Sequence, residues 1–244
     1  MKTIIIQARM NSSRLPGKVL EDLGGMPLLS HVIMRARKSK LADQVIVATS
    51  TEKSDDPIAA LCGSVPVACY RGSLNNVLER YVHAAREYKA TTIVRITADC
   101  PLIDPGVIDR CIAAFEASGA DYISNVVPEP RTFPRGFDVE VFSFEALLKA
   151  QEKAIEVYEQ EHVTPVIWQN KRREFKVGPT ITASSEYARP YRLCVDYEDD
   201  YALLKRIYEQ FYSEGEIIDV PKLLAFLDEH PEWLVLNSHR ESRS

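Results

Sequence analysis

The chain opens on a short apolar run, Ile4-Ile5-Ile6, and then alternates such runs with segments of helical period. Leu28, Leu29, Val32, Ile33 and Ala36 recur at one-, three- and four-residue steps, which places them on one face of a helix. Residues 45–48 predict a second strand, ending at Thr49-Ser50-Thr51. Asp56-Pro57 predicts a helix start, with an aspartate cap and proline at the first helical position. Residues 65–68 predict a further strand. A helix carrying Leu74, Val77, Leu78, Tyr81, Val82 and Ala85 leads to another at 92–96. Asp104-Pro105 predicts the next helix, with Val107, Ile108, Cys111, Ile112 and Phe115 inward, and residues 122–124 a short strand.

From Pro128 the pattern changes. Pro128, Pro130 and Pro134 mark an irregular loop, and residues 137–141 alternate as a strand with one polar face. Helices are predicted over 143–153 and 157–170, strands at 175–177 and 191–195, then a long helix with Tyr201, Leu204, Tyr208 and Phe211 and another from Pro221. Apolar strands joined by amphipathic helices imply a parallel sheet covered on both faces. The expected fold is α/β, a three-layer α/β/α sandwich with a mostly parallel sheet. One domain is expected over 1–237, with a disordered tail at 238–244. Such sheets bind ligands beyond the carboxyl ends of their strands.

Composition changes this picture little. The chain has 244 residues, 45% hydrophobic and 27% charged, the make-up of an ordinary soluble globular protein. A formal charge of −5 argues against a nucleic-acid partner. Five cysteines without a CxxC pair argue against a zinc site or disulfide framework. No stretch is long enough for a membrane span, so a cytoplasmic location is expected.

Chemistry concentrates where the first apolar run ends. Arg9, Ser12, Ser13, Arg14 and Lys18 fall within ten residues, directly after a buried strand. Arginine forks match phosphate oxygens and lysine adds a mobile charge, so this loop suits a polyphosphate. It is neither a Walker A loop, because Val19 follows Gly17-Lys18, nor a dinucleotide fingerprint, because no GxGxxG occurs. Asp99, just past the strand at 92–96, could hold Mg²⁺ between phosphates; the alternative is a turn or a cap. Asp104 already serves as cap there, which leaves Asp99 for another task. Asp196 ends the strand at 191–195 and could equally cap the helix that follows.

Together these pieces resemble the cytidylyltransferases that activate sugar acids, and most of all the spore-coat polysaccharide (SpsF-like) branch. The likeness runs through Gln7-Ala8-Arg9 and Ser12-Ser13-Arg14-Leu15-Pro16-Gly17-Lys18, Tyr70-Arg71-Gly72-Ser73, the segment 133–142, Glu161-His162-Val163-Thr164-Pro165 and Arg192-Leu193-Cys194-Val195-Asp196. The resemblance implies a nucleotide-diphospho-sugar transferase fold. It implies that Ala8, Arg9, Ser12, Ser13, Arg14 and Lys18 hold CTP, that Arg71 and Ser73 lie near the cytidine, and that Asp99 and Asp196 ligate Mg²⁺. It extends to a homodimer built partly from 128–180, where Phe137, Phe142, Phe144 and Trp168 suit an interface or a core equally. The chain departs from the branch at Asn75-Asn76, where acidic residues are usual. It departs from the sugar-acid synthetases at Thr97-Ala98, where a glycine usually precedes the aspartate.

Five further residues are acceptor-side candidates. Asp138 and Glu140 share a strand face by the period of two, either towards a cleft or as a solvated edge. Arg135 could meet an acceptor carboxylate or sit in a surface loop. His162, placed near a helix start, could contact the acceptor, though a lone histidine is more often structural, and Arg192, on the face of Asp196, could instead form a structural ion pair. The sequence reads as a Mg²⁺-dependent enzyme that transfers CMP from CTP to a sugar or sugar acid, with Arg14, Lys18 and Asp99 catalytic. A glycosyltransferase of the same fold and a non-catalytic nucleotide-binding subunit are the alternatives.

Overall fold

Five of the six strands of the central sheet run parallel, and the single reversed strand determines which residues meet at the sheet's ligand edge. The structure, a computed structural model, describes residues 1–128 and 131–240. In chain order the elements are β1 (Lys2–Gln7), the two-residue hairpin strands β2 (Asp22–Leu23) and β3 (Met26–Pro27), α1 (Leu28–Ala36), β4 (Gln44–Ser50), α2 (Asp56–Ser64), β5 (Ala68–Gly72), α3 (Val77–Glu87), β6 (Thr92–Thr97) and α4 (Pro105–Ser118). They continue with β7 (Tyr122–Ser124), β8 (Glu140–Ser143), α5 (Phe144–Lys153), α6 (Val157–His162), α7 (Pro165–Gln169), α8 (Glu198–Phe211) and α9 (Val220–Glu229). The main sheet has the order β5-β4-β1-β6-β8-β7. β1 pairs in parallel with β4 and β6, and β4 with β5; β8 is antiparallel to both β6 and β7.

The isoleucine triplet explains the three layers. Ile4, Ile5 and Ile6 are all fully buried, yet they face opposite ways. Ile4 and Ile6 join α1, α4, α8 and α9 in one apolar layer, while Ile5 joins α3, α5 and α7 in the other. A strand buried on both faces must be apolar throughout, which is why its alternation is invisible in the sequence. The amphipathic helices supply the outer layers, with Leu28, Leu29, Val32, Ile33 and Ala36 of α1 fully buried as the periodicity predicted.

Several boundaries differ from the sequence expectation. The strand expected at 65–68 begins at Ala68, because Pro66 has no N–H for a ladder and β5, at the sheet edge, tolerates Tyr70 and Arg71. The strand expected from 137 starts at Glu140. The helix expected over 157–170 breaks into α6 and α7, since Val163 takes a φ of 72° and Pro165 starts a new helix. The segments at 175–177 and 191–195 contribute only isolated bridges, Tyr122 with Val177 and Arg135 with Arg192. Asp104 does cap α4, accepting from the N–H groups of Gly106 and Val107 at 2.8 and 3.2 Å. Phe137 and Phe142 are core residues, fully buried. Of the expected tail, Ser238–Arg240 are bound: Ser238 N–H donates to the Leu234 carbonyl and Arg240 pairs with Asp199. Residues 241–244 lie outside the described residues. No helix among the described residues is long and apolar enough to cross a membrane.

His31 shows how the lower layer is pinned. Its ring is fully buried against Tyr208 and Tyr212, with Nε2 2.6 Å from the Leu23 carbonyl. Burial, then the nearby Arg35 charge, holds its pKa below the ordinary 6.5, against the opposing pull of the Leu23 hydrogen bond and Asp22. A histidine depressed in the fold contributes stability above its unfolded pKa and loses it on acidification. In urea titrations, the stability advantage of the native chain over a His31→Asn variant is therefore expected to be full at pH 7.5 and to shrink below pH 6.5.

Candidate functional site

The carboxyl ends of β1, β4, β5, β6 and β7 lie on one edge of the sheet, and the reversed β8 begins on that same edge. β1 gives way at Ala8, which still bonds to the Ala48 carbonyl at 3.1 Å, and the chain then loops out through Arg9 to Gly17. Met10 holds this loop through both of its backbone polar groups. The Met10 carbonyl accepts from the N–H groups of Ser12 and Gly17, at 2.9 and 2.8 Å. The Met10 N–H donates to Asp55 at 2.7 Å. Gly17 carries a φ of +78°, a conformation that costs glycine nothing, and this turns the chain into a single 3₁₀ turn headed by Lys18.

Asp55, immediately before α2, is fully buried and also accepts from Ser50 N–H at 3.1 Å and Ser50 Oγ at 2.5 Å. Burial would raise its pKa, but the Met10 and Ser50 donors outweigh that and lower it. Asp55 thus ties the loop after β1 to the end of β4. The sequence reading put the cap at Asp56 and missed Asp55; the signal was the Asp-Asp doublet before Pro57, where one carboxylate was free to leave the helix.

Lys18 is the centre of the site. It is 7% exposed, and its ammonium donates to Asp99 Oδ2 at 3.0 Å, Asp196 Oδ1 at 2.9 Å and the Val195 carbonyl at 2.6 Å. Burial disfavours its charge, but Asp99 and Asp196 more than compensate, so its pKa is raised. Asp99 is held from the other side by Thr97 Oγ1 at 2.5 Å. Burial pushes its pKa up, and the Lys18 charge and the Thr97 hydroxyl bring it below the ordinary value. Thr97, a departure from the synthetase pattern, thereby takes part in the site.

Asp196 is shared three ways. Oδ1 also accepts from Arg14 at 2.6 Å, and Oδ2 from Arg192 at 2.7 Å. The cap that Asp196 could have provided falls to Asp200, which is fully buried and accepts from the N–H groups of Asp196 and Tyr197 at 3.0 and 3.1 Å. Arg192 bridges Asp196 and Asp200, so its role is to fix Asp196 in place. Arg14 stacks over the Tyr197 ring at 5.2 Å.

Gln7, Arg9, Ser12, Ser13, Arg14, Lys18, Thr97, Asp99 and Asp196 line one cavity of about 150 Å³. Arg71, in β5, and Ser73, directly after it, do not line that cavity and are engaged elsewhere. Arg71 donates to the carbonyls of Ser50 and Glu52 at 2.8 and 2.9 Å and pairs with Asp56; Ser73 Oγ accepts from Asn76 N–H at 3.0 Å. Asn76, the other departure, caps α3 by accepting from Glu79 N–H.

A second cavity, of about 300 Å³, adjoins the first at Thr97 and includes Arg95, Asp138, Glu140, Tyr158, His162 and Trp168. Here the expectation needs correcting. Asp138 and Glu140 face the same cavity but are not a free carboxylate pair on one strand. Asp138 precedes β8 and takes a two-pronged bond from Arg131, at 2.5 and 3.0 Å. Glu140 is 7% exposed and accepts from Arg95, from Tyr122 Oη at 2.7 Å and from Thr164 Oγ1 at 2.5 Å. His162 ends α6 rather than starting a helix, and its ring packs on Tyr158 at 4.5 Å. Desolvation, set against the Glu161 charge and reinforced by Arg95 and Arg9, lowers its pKa below the ordinary value.

Arg135 is not part of either cavity. It borders a separate cavity of about 830 Å³ on the far side of Arg192, with Phe133, Tyr191 and Leu234. Its neighbour Gly136 has a φ of +106°, and a Cβ there would come within 2.5 Å of the Leu193 carbonyl, so only glycine lets these backbones run together.

No three His, Cys, Asp or Glu side chains converge as a metal group among the described residues. Asp99 and Asp196 do converge, on the Lys18 ammonium. Both also line the cavity of about 150 Å³, and two carboxylates there fit Mg²⁺, which takes its remaining oxygens from phosphate and water rather than from a protein cage.

Comparison with known proteins gives the family. The chain is 35% identical, over 93% of its length and 94% of the relative's, to the spore coat polysaccharide biosynthesis protein SpsF of Bacillus subtilis. It is 37% identical over its full length, and 98% of the relative's, to an uncharacterized protein of Methanocaldococcus jannaschii. The solved structure of a cytidylyltransferase from Leptospira borgpetersenii superposes with a TM-score of 0.86 at 32% identity, covering 96% of each chain. The sequence profile of the cytidylyltransferases matches residues 3–218, the whole sheet and every residue bound to Lys18, and the chain belongs to that family.

Proposed function

We propose that this chain transfers the CMP group of CTP, with Mg²⁺, to a hydroxyl of a sugar-type acceptor, in the assembly of a surface polysaccharide or glycoconjugate. The observation that carries the reading is the Lys18 ammonium set between Asp99 and Asp196, with Arg9 and Arg14 beside it. Three cations and two carboxylates lining one cavity suit a triphosphate with its metal better than a nucleotide sugar.

The acceptor oxygen bonds to the α-phosphorus of CTP, the bond from that phosphorus to the bridging oxygen breaks, and pyrophosphate leaves. Positioning and charge do the work in such a transfer. Arg9, Ser12 and Ser13 hold the phosphates, and Arg14 and Lys18 neutralise the departing pyrophosphate. Arg71 and Ser73 border the cytidine. Asp99 and Asp196 would hold Mg²⁺, which supplies Lewis-acid polarisation of phosphoryl oxygens when bound. The cavity beyond Thr97 receives the acceptor. A homodimer through 128–180 and a cytoplasmic location accompany this reading.

Two predictions follow from the site. Lys18→Ala is expected to lower kcat for pyrophosphate release roughly 10²–10³-fold, the scale for losing one preorganised charge contact, while Asp99→Asn raises the Mg²⁺ concentration needed for half-maximal rate. Unchanged rates in both variants would overturn the reading. Asp55→Ala frees the Met10 N–H and is expected to raise KM for CTP about tenfold with a smaller effect on kcat, since Asp55 positions the loop without touching the reacting atoms. Steady-state kinetics with CTP varied at saturating acceptor measures the split.

A further inference from the structure

The last turn of the described chain reaches back to the phosphate site. A 3₁₀ turn, Pro231–Leu236, docks on the helices through Trp233. The Trp233 ring is buried, 6.3 Å from the Phe211 ring of α8 and 5.3 Å from the Phe226 ring of α9, with the Arg206 guanidinium 3.8 Å over it. That anchor delivers the following residues, Asn237 to Arg240, to the first turn of α8, where Asp199 and Asp200 lie.

Asn237 is 2% exposed. Its side-chain amide donates twice, to the Arg192 carbonyl at 3.0 Å and to Asp200 Oδ1 at 2.8 Å. Both acceptors belong to the support of Asp196. Arg192 reaches Asp196 Oδ2 at 2.7 Å, and Asp200 grips the Arg192 guanidinium through Nε and Nη2 at 2.8 and 3.0 Å. Residues 191–195 join the sheet only through the bridge of Arg192 with Arg135, so separate contacts rather than a ladder fix their position. Asn237 ties the Arg192 backbone to the carboxylate that grips the Arg192 side chain. Fixing Arg192 fixes Asp196 Oδ2, which leaves Oδ1 for Lys18 and Arg14.

Arg240 meets a different neighbour of Asp196. Its guanidinium pairs with Asp199 at 2.8 Å and lies 4.3 Å from the centre of the Tyr197 ring. Arg14 stacks on that same ring at 5.2 Å while it bonds to Asp196 Oδ1. Arg14 is half-exposed at its side chain, and Tyr197 and Asp196 set its direction. The ring that steers Arg14 is thus braced by Arg240 and, through it, by the first turn of α8.

We infer that this C-terminal turn is part of the phosphate site, with Asn237 a positioning residue for Asp196 and Arg240 a positioning residue for Arg14. Neither touches the reacting atoms. Asn237 acts through Arg192 and Asp200 on a carboxylate that would hold Mg²⁺. Arg240 acts through Tyr197 on a cation for the triphosphate. The inference rests on the CTP reading above.

Calorimetry of CTP binding to the full chain, with and without Mg²⁺, tests it. Asn237→Leu keeps the side-chain volume and removes both donated bonds. It is expected to weaken CTP binding about fivefold with Mg²⁺ present, less than the loss of a group bound directly to a metal ligand, and to leave metal-free binding unchanged. Arg240→Met keeps the apolar stem and removes the charge. It is expected to weaken binding about threefold with or without the metal. Each effect is expected to vanish once its target is gone: Asn237→Leu in an Asp196→Asn background, and Arg240→Met in an Arg14→Ala background. A turn that only stabilised the fold would weaken both kinds of binding alike and add in full to the target variants. That additivity overturns the inference, as does native-like CTP binding by variants whose circular dichroism shows them folded. Asn237→Ser, too short to reach both acceptors, replaces the leucine variant if that one does not fold. A native chain that binds no CTP sinks the cytidylyltransferase reading and this inference with it, whereas native binding with unaffected variants sinks this inference alone.

Discussion

The site depends on one buried ammonium. Lys18 comes from the turn after β1, Asp99 from the end of β6 and Asp196 from the segment before α8, so a single charge joins parts of the chain far apart in sequence. A lysine this enclosed stays charged because two carboxylates and a carbonyl surround it, and its charge in turn helps to bring the Asp99 pKa below the ordinary value against the effect of burial. Removing Lys18 takes from Asp99 its one ion pair among the described residues, while Asp196 keeps Arg14 and Arg192. The loop's shape, the position of α8 and the phosphate-facing surface are therefore coupled through one atom, Lys18 Nζ.

That coupling needs a rigid frame, and the frame is built from polar contacts that do no chemistry. Asp55 fastens the loop to the end of β4, Thr97 orients Asp99, and Asp200 with Arg192 orients Asp196. Each of these supports is itself held at more than one point, so each carboxylate presents one oxygen to Lys18 in a fixed direction. Preorganised charge of this kind acts without reorganising during a reaction.

Much of this was legible in the sequence, for physical reasons. Apolar runs and helical periodicity reflect burial directly, so the sheet core and the faces of α1, α3 and α4 could be read from residue types alone. The loop could be read because five phosphate-matching side chains crowd behind one buried strand. What could not be read were features set by long-range pairing. Strands at 175–177 and 191–195 have the right residues but find only single-bridge partners. Asp138 and Glu140 alternate as a strand face should, yet their partners, Arg131, Arg95, Tyr122 and Thr164, come from four different places. Asp55 went unread because its partner, the Met10 N–H, lies 45 residues earlier.

The reversal of β8 carries the last step. In an all-parallel sheet, this edge would receive only strand ends, and the strand beside β6 would end there. Running β8 backwards instead starts a strand at the edge, in register, so that Glu140 sits opposite Arg95. The loop cations Arg9, Arg14 and Lys18, which follow β1, meet Glu161, Asp99 and Asp196, while Arg95 and Arg131 meet Glu140 and Asp138 at or just before the start of β8. One antiparallel strand thus brings a second set of carboxylates to the edge that the loop after β1 occupies. The two cavities share Thr97, so the loop cations and the carboxylates around β8 border adjoining spaces, joined at the strand end that also orients Asp99.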